Sequence, residues 1–195
     1  MLNTKIKAVL FDMDGTILAP EEHSSLLEFK ARWGIPAEQL VVPNLSKLPQ
    51  DAYQGFIELE SSLAQHSVLR SGVLQLLEHL KLEGVKTALV TNNSTQSARV
   101  VTGQHGLSFD LILTRDDEPM KPAPEMLWRA LEQLNVGTLN AVMIGDTGAD
   151  VGAAGAAGVS HCYLMAELWN EQFDGVGVTR IADMLELRNA LAQRL

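Results

Sequence analysis

A single cysteine, Cys162, leaves the 195-residue chain without an internal disulfide or a multi-cysteine metal site. It lies in the apolar run 159–165, where a small buried thiol is the ordinary outcome. A basic excess is also missing: 15 Lys and Arg against 24 Asp and Glu give a net charge of -9. That balance argues against a nucleic-acid grip through a basic face and against docking on anionic lipid. No apolar run approaches the roughly 20 residues needed to cross a bilayer. Met1-Leu2-Asn3-Thr4-Lys5 leads into a strand-like run rather than a signal-peptide pattern, so a cytoplasmic protein is expected. Repeats, low-complexity segments and long charged stretches poor in apolar residues are absent, which excludes a disordered chain.

What is present is material for a core. At 46% apolar residues, the chain can build one standard domain with a small insertion. Residues 6–11, 85–90, 111–113, 141–144 and 159–164 are short apolar runs bounded by Gly, Asn or Asp, the pattern of buried strands. Between them, Val73, Leu76, Leu77 and Leu80 form a stripe at helical spacing, and Met126, Leu127, Ala130, Leu131 and Leu134 form another. The Gly/Ala-rich segment 152–158 reads as a closely packed helix. Short strands alternating with amphipathic helices predict an α/β fold, a Rossmann-like parallel sheet with helices on both faces. Residues 20–71 break that rhythm. Helices are expected near 24–33 and 50–66, joined by the Pro- and Gly-bearing stretch 34–49, with no strand between them. The expected division is therefore an α/β core of 1–19 and 72–195 and a small all-helical insertion, 20–71, after the first strand.

In open parallel sheets, ligands bind where the carboxyl ends of the strands and their loops converge. The first strand ends in Asp12-Met13-Asp14-Gly15-Thr16, two carboxylates two residues apart that an extended backbone points the same way. Gly15 allows a sharp turn and a close approach to a ligand. Thr91-Asn92-Asn93-Ser94 places small donors just before a helix, a usual arrangement for holding an anion. In Lys121-Pro122-Ala123-Pro124-Glu125 the prolines stiffen a loop entering a helix and so aim Lys121. Gly145-Asp146-Thr147-Gly148-Ala149-Asp150 adds two acids at the same edge. Three or four carboxylates gathered there repel one another, and a cation relieves the repulsion. An all-oxygen ligand set favours Mg²⁺ over softer metals. With Mg²⁺ and Lys121 in place, a dianionic phosphate is accommodated in an otherwise acidic protein.

These four pieces, in this order, resemble the motifs of the haloacid dehalogenase superfamily, especially its phosphoglycolate phosphatase-like members. The resemblance covers residues 6–18 and 72–165. It implies that Asp12 is the nucleophile and Asp14 the general acid/base. It implies that Thr91, with Asn92 beside it, binds the transferring phosphoryl group, and that Lys121 neutralises nucleophile and phosphate. Mg²⁺ would be held by Asp12, Asp146 and the main-chain carbonyl of Asp14, with Asp150 either a ligand or a second-layer companion. The implied reaction is Mg²⁺-dependent hydrolysis of a small phosphorylated metabolite through an aspartyl-phosphate. In it, Asp14 protonates the leaving oxygen and then deprotonates water. Residues 20–71 resemble the family's cap. The segment is shorter than the common helical cap, and its return junction Leu69-Arg70-Ser71-Gly72 lacks the proline often found there.

Other activities share such a core. A dehalogenase needs no metal and usually lacks an equivalent of Asp14, which counts against that reaction. A β-phosphoglucomutase-like phosphomutase and a non-catalytic binding or regulatory module on the same fold are the alternatives carried forward. His23 is read as a solvated helix-start residue, and His66, His79, His105 and His161 as structural or surface groups. Arg70 is read as a surface residue near the hinge, and Asp116, Asp117 and Glu118 as a solvated acidic loop. Trp33, Tyr53 and Phe56 are read as packing within the cap. The expected partner is a small metabolite, with no nucleic acid polymer and no membrane, and the chain is expected to be a monomer or homodimer.

Overall fold

The computed structural model describes residues 5–20, 24–37, 39, 41–117, 119–166 and 177–195. Within them, six parallel strands form one sheet in the order β3-β2-β1-β4-β5-β6. The strands are β1 (Ala8–Phe11), β2 (Lys86–Val90), β3 (Leu111–Leu113), β4 (Ala141–Gly145), β5 (His161–Met165) and β6 (Val178–Ile181). Helices α3 (Val73–Leu82), α4 (Thr95–His105), α5 (Glu125–Leu134), α6 (Gly148–Ala157) and α7 (Met184–Ala192) cover the sheet.

Side chains alternate across a strand, and this assigns each residue to one of two apolar layers. Val9 and Phe11 of β1 join Leu89, Val142, Ile144, Tyr163 and Met165 beneath α3, α4 and α7. Ala8 and Leu10 join Ala88, Val90, Met143 and Cys162 beneath α5 and α6. Because both faces are covered, the central strands read as continuous apolar runs, and β1 and β4 are buried throughout. Cys162 is buried, as its surroundings in sequence predict.

The five expected strands appear within two residues of the anticipated bounds. β6 and α7 are additional to the expected elements. In β6, Val178-Thr179-Arg180-Ile181 is an edge strand carrying polar side chains, with only Ile181 fully buried, so it lacks the apolar run that marks the others.

The β1 register pairs Phe11 with Leu89 of β2 and Ile144 of β4. Asp12, Thr91 and Asp146 therefore leave the sheet together at its carboxyl edge. The strand order reverses between β1 and β4, and a crevice is expected at such a point.

Between β1 and α3 lie α1 (Ser24–Arg32), a 3₁₀ turn (Val42–Lys47) and α2 (Gln50–Gln65). They enclose a small apolar cluster of their own, Phe29, Val41, Leu45 and Phe56, with Leu26, Trp33 and Leu59 against it. The two chain segments that join this unit to the sheet run side by side. Leu18 bridges Leu69, the Ala19 amide donates to the Val68 carbonyl at 2.8 Å, and the Arg70 amide donates to the Ile17 carbonyl at 2.9 Å.

Candidate active site

Asp12 and Asp14 are extended, with ψ of 169° and 138°, and Gly15 turns the chain at φ +66°. A side chain at residue 15 would be strained by that φ, and space forbids it as well. A Cβ there would lie 1.9 Å from Asp146 Oδ2, so the Asp146 carboxylate occupies the room that Gly15 leaves. Gly145 does the same for Asp150: a Cβ at 145 would lie 2.3 Å from the Asp150 Cβ and Cγ. Two glycines thus let two acids press against the backbone at the strand ends.

Asp150 opens α6 in a reciprocal cap with Thr147. Its Oδ2 accepts from Thr147 Oγ1 at 2.7 Å, from the Thr147 amide at 3.0 Å and from the Asp146 amide at 3.2 Å. Its Oδ1 accepts from Lys121 Nζ at 2.6 Å, and the same ammonium donates to Asp12 Oδ1 at 2.6 Å. Asn92 fixes where Lys121 starts. Its Oδ1 accepts from the Lys121 amide and its Nδ2 donates to the Lys121 carbonyl, both at 2.9 Å. Asn93 Nδ2 donates to Asp14 Oδ2 at 2.7 Å, and the Asn93 amide donates to Thr91 Oγ1 at 3.1 Å. Hydrogen bonds thus link Asp12, Lys121, Asp150 and Asp146 in one group, and Asn93 ties Asp14 to Thr91.

Against known proteins, the sequence pattern of the haloacid dehalogenase-like hydrolases matches residues 6–158. The chain belongs to this hydrolase family. It is 31% identical to pyrophosphatase PpaX of Bacillus thuringiensis, over 75% of this chain and 77% of that protein. It is 26% identical to a phosphoglycolate phosphatase of Aquifex aeolicus, over 93% of this chain and 96% of that one. In three dimensions, a haloacid dehalogenase (HAD) phosphatase from Thermococcus onnurineus superposes with a TM-score of 0.73 at 26% identity, covering 97% of the hydrolase and all of its counterpart.

Carboxylate oxygens of Asp12, Asp146 and Asp150 lie within 4.8 Å of one another, and all three residues are buried. Burial pushes Asp12 up to about 7, with Lys121 opposing the rise and Asp150 and Asp14 adding to it. Burial, followed by the charges of Asp12 and Asp150, pushes Asp146 up to about 9. Burial alone would pull the Lys121 ammonium down, but Asp12 and Asp150 outweigh it and hold Lys121 protonated. The hydrolase therefore gathers three buried acids around one buried cation. The surplus negative charge and the oxygen-only donor set fit a hard divalent cation such as Mg²⁺. Asp150 is the least available of the three, since its two oxygens already accept four hydrogen bonds. Asp12 and Asp146 remain the direct candidates.

The structure gives Asn92, the start of α4, Asp117 and Arg70 different work from that expected of them, and leaves Phe56, Trp33, His105 and His161 in the roles expected. The Asn92 side chain, expected among the phosphate donors, is engaged with the Lys121 backbone. The start of α4, expected to hold an anion, is partly taken by the protein's own acids: Asp116 Oδ2 accepts from the Thr95 amide at 2.8 Å, and Glu60 meets Ser94. Asp117 folds the loop instead of lying free in solvent, accepting from the Thr114 amide at 2.8 Å and its hydroxyl at 2.9 Å. Arg70 is half-buried rather than a surface residue, and its Nη2 donates to the Gly15 carbonyl at 2.7 Å, tying the return linker to the Asp12–Gly15 turn. Phe56 is buried in the insertion's cluster and Trp33 packs against it, while Tyr53 is exposed. His105 meets Ser67 Oγ at 3.0 Å and His161 meets Thr179 Oγ1 at 2.8 Å, both structural contacts. His23 and Glu118 lie outside the described residues. No local pattern in the sequence marks Asn93 as the partner of Asp14. The buried pair Glu60 and Arg115 shows in the sequence only as a carboxylate in the inward stripe of α2.

Proposed function

We propose that the hydrolase is a Mg²⁺-dependent phosphomonoesterase that takes the phosphoryl group of a small phosphorylated metabolite onto Asp12. The observation that carries this reading is the Lys121 ammonium, buried and held 2.6 Å from both Asp12 and Asp150. Lys121 engages Asp12 Oδ1, which leaves Oδ2 to attack phosphorus. In-line attack forms the Oδ2–P bond as the bond from phosphorus to the ester oxygen breaks. Asp14, oriented by Asn93, gives its proton to the leaving oxygen and then removes one from the water that cleaves the aspartyl-phosphate. Thr91 and the main-chain amide of Asn92 receive the phosphoryl oxygens. Asp12, Asp146 and the Asp14 carbonyl would hold Mg²⁺, with Asp150 behind them setting Lys121 and the β4 loop. Bound there, Mg²⁺ supplies positive charge that keeps the acids ionised and offsets the charge of the transferring group.

Residues 20–71 serve as the cap that selects the leaving group and shields the site. Glu60 of α2 meets Ser94 and Arg115, which follow β2 and β3, so the insertion packs against the carboxyl edge rather than the opposite one. Relatives named pyrophosphatase and phosphoglycolate phosphatase support a small anionic substrate. The convergence of the acids supports a working enzyme over a non-catalytic module. Membership among hydrolases favours transfer to water over a phosphomutase.

The test is turnover of an aryl phosphate by protein stripped of divalent cations. Activity should be absent and should return with Mg²⁺, and beryllium fluoride should bind wild type but not Asp12→Asn. Full turnover by thoroughly metal-free protein contradicts the metal assignment.

A further inference from the structure

The residues that α2 turns inward recur every four positions: Ala52, Phe56, Glu60 and Ala64 are buried. Phe56 belongs to the cap's own cluster and Ala64 to the main core, so the stripe crosses from one to the other. A carboxylate stands in the middle of it. A buried charge in an apolar stripe is destabilising unless it is paired and hydrogen-bonded. Glu60 is both. Arg115 Nη1 donates to its Oε1, and Nη2 donates to Oε2 at 2.9 Å. Ser94 Oγ donates to Oε2 at 2.7 Å, and the Ser94 amide approaches Oε1 at 3.4 Å. Both side chains of the ion pair are less than one-tenth exposed.

A further set of contacts leads inward from this pair. Arg115 Nη1 also donates to the Asn92 carbonyl at 3.2 Å, and the Arg115 amide donates to the Asn93 carbonyl at 3.1 Å. Asn92 grips the Lys121 main chain from both sides, and Lys121 reaches Asp12. Cap helix and nucleophile are therefore joined through Glu60, Arg115, Asn92, Lys121 and Asp12, with a hydrogen bond at every step.

We propose that Glu60 and Arg115 form a latch through which seating of the cap sets the position of Lys121. They are positioning residues: Glu60 fixes Arg115, Arg115 fixes the Asn92 backbone, and Asn92 fixes Lys121 against Asp12. Lifting α2 removes the carboxylate from Arg115 and Ser94 and loosens the segment that holds Lys121. Cap closure then excludes water and completes the site in one movement. The kinetic side of this inference rests on the phosphatase reading above, whereas its structural side does not.

Three variants test it: Glu60→Gln, Ser94→Ala and the double apolar replacement Glu60→Leu with Arg115→Met. In Glu60→Gln, hydrogen exchange at the Lys121 amide, the donor to Asn92, should speed up roughly tenfold, with kcat on an aryl phosphate falling by a similar factor. Ser94→Ala, which removes one of the Glu60 hydrogen bonds, should show both effects in the same direction and smaller. The double variant leaves no buried charge unpaired, so its thermal midpoint should return to near that of wild type. Its kcat should stay low, because nothing then holds the Asn92 carbonyl. If kcat recovers together with the midpoint, the pair serves stability alone and the latch is wrong. Unchanged exchange at Lys121 in Glu60→Gln overturns the coupling whatever the turnover. Failure of the phosphatase reading would appear separately, as absence of turnover in the wild type.

Discussion

The sheet edge and the cap hold their side chains in different ways. At the edge, Lys121 and Asp150 are fixed from more than one side: Lys121 by two acids and by both amide atoms of Asn92, and Asp150 by four donors. Gly15 and Gly145 remove the atoms that would push Asp146 and Asp150 away. Residues 20–71 enclose a satellite cluster of a few apolar residues, join the main core at Ala64 and meet the edge through the buried Glu60–Arg115 pair and Ser94. The chemistry is thus built on an over-determined frame. In the proposed function, the choice of leaving group falls to residues 20–71, an element built apart from that frame.

Breaking the frame should cost far more than altering the cap. Lys121→Met removes the cation shared by Asp12 and Asp150, and kcat on an aryl phosphate should fall on the order of 10³-fold. A modest loss would mean that the doubly held ammonium is not what the site depends on. Gly15→Ala puts a Cβ onto Asp146 in a backbone that resists it. It should destabilise the fold by about 1–3 kcal/mol in denaturant titrations and weaken Mg²⁺ binding measured by calorimetry. Asn92→Ala frees the Lys121 backbone without touching any acid and should lower kcat by about tenfold at little change in KM. In the cap, Tyr53→Ala should change relative kcat/KM between substrates by at most about 1–3 kcal/mol. It should leave the beryllium fluoride complex intact. Loss of that complex would erase the distinction between the two regions. The smallest effect belongs to Cys162, which burial pushes up to about 12. Its raised value keeps the thiol protonated through neutral and mildly alkaline pH, and thiolate forms only as pH climbs toward that value. Native protein at pH 8 should therefore resist a disulfide-exchange reagent until it is unfolded.

The parts of this design that were readable in sequence are those written in adjacent residues. Asp12-Met13-Asp14-Gly15 states its carboxylates, its spacing and its turn within four positions, and Lys121-Pro122 stands just ahead of a clear helical stripe. What escaped depends on pairs that no local pattern encodes. Asn92 meets Lys121 across 29 positions, Glu60 meets Arg115 across 55, and Asn93 meets Asp14 across 79. An asparagine before a helix reads as an anion donor because that is its usual work there, and only the fold shows its amide turned to another loop. Arg70, two residues before a glycine, likewise reads as surface until the two linkers are seen side by side. β6 escaped for a different reason: an edge strand need not be apolar on both faces, so it carries no continuous run.

The account turns on Asp12 as the residue that receives the phosphoryl group, and the most direct measurement is to trap it there. Asp14→Asn keeps Asp12 and Lys121 but removes the base proposed for the water step, so a phosphorylated enzyme should build up during turnover of an activated aryl phosphate. Rapid acid quench and peptide mass spectrometry should then find one added phosphoryl group on the peptide containing Asp12, and none when Asp12→Asn is added to the same variant. A phosphoryl group on any other residue, or wild-type turnover that survives Asp12→Asn after deamidation is excluded, would contradict the account.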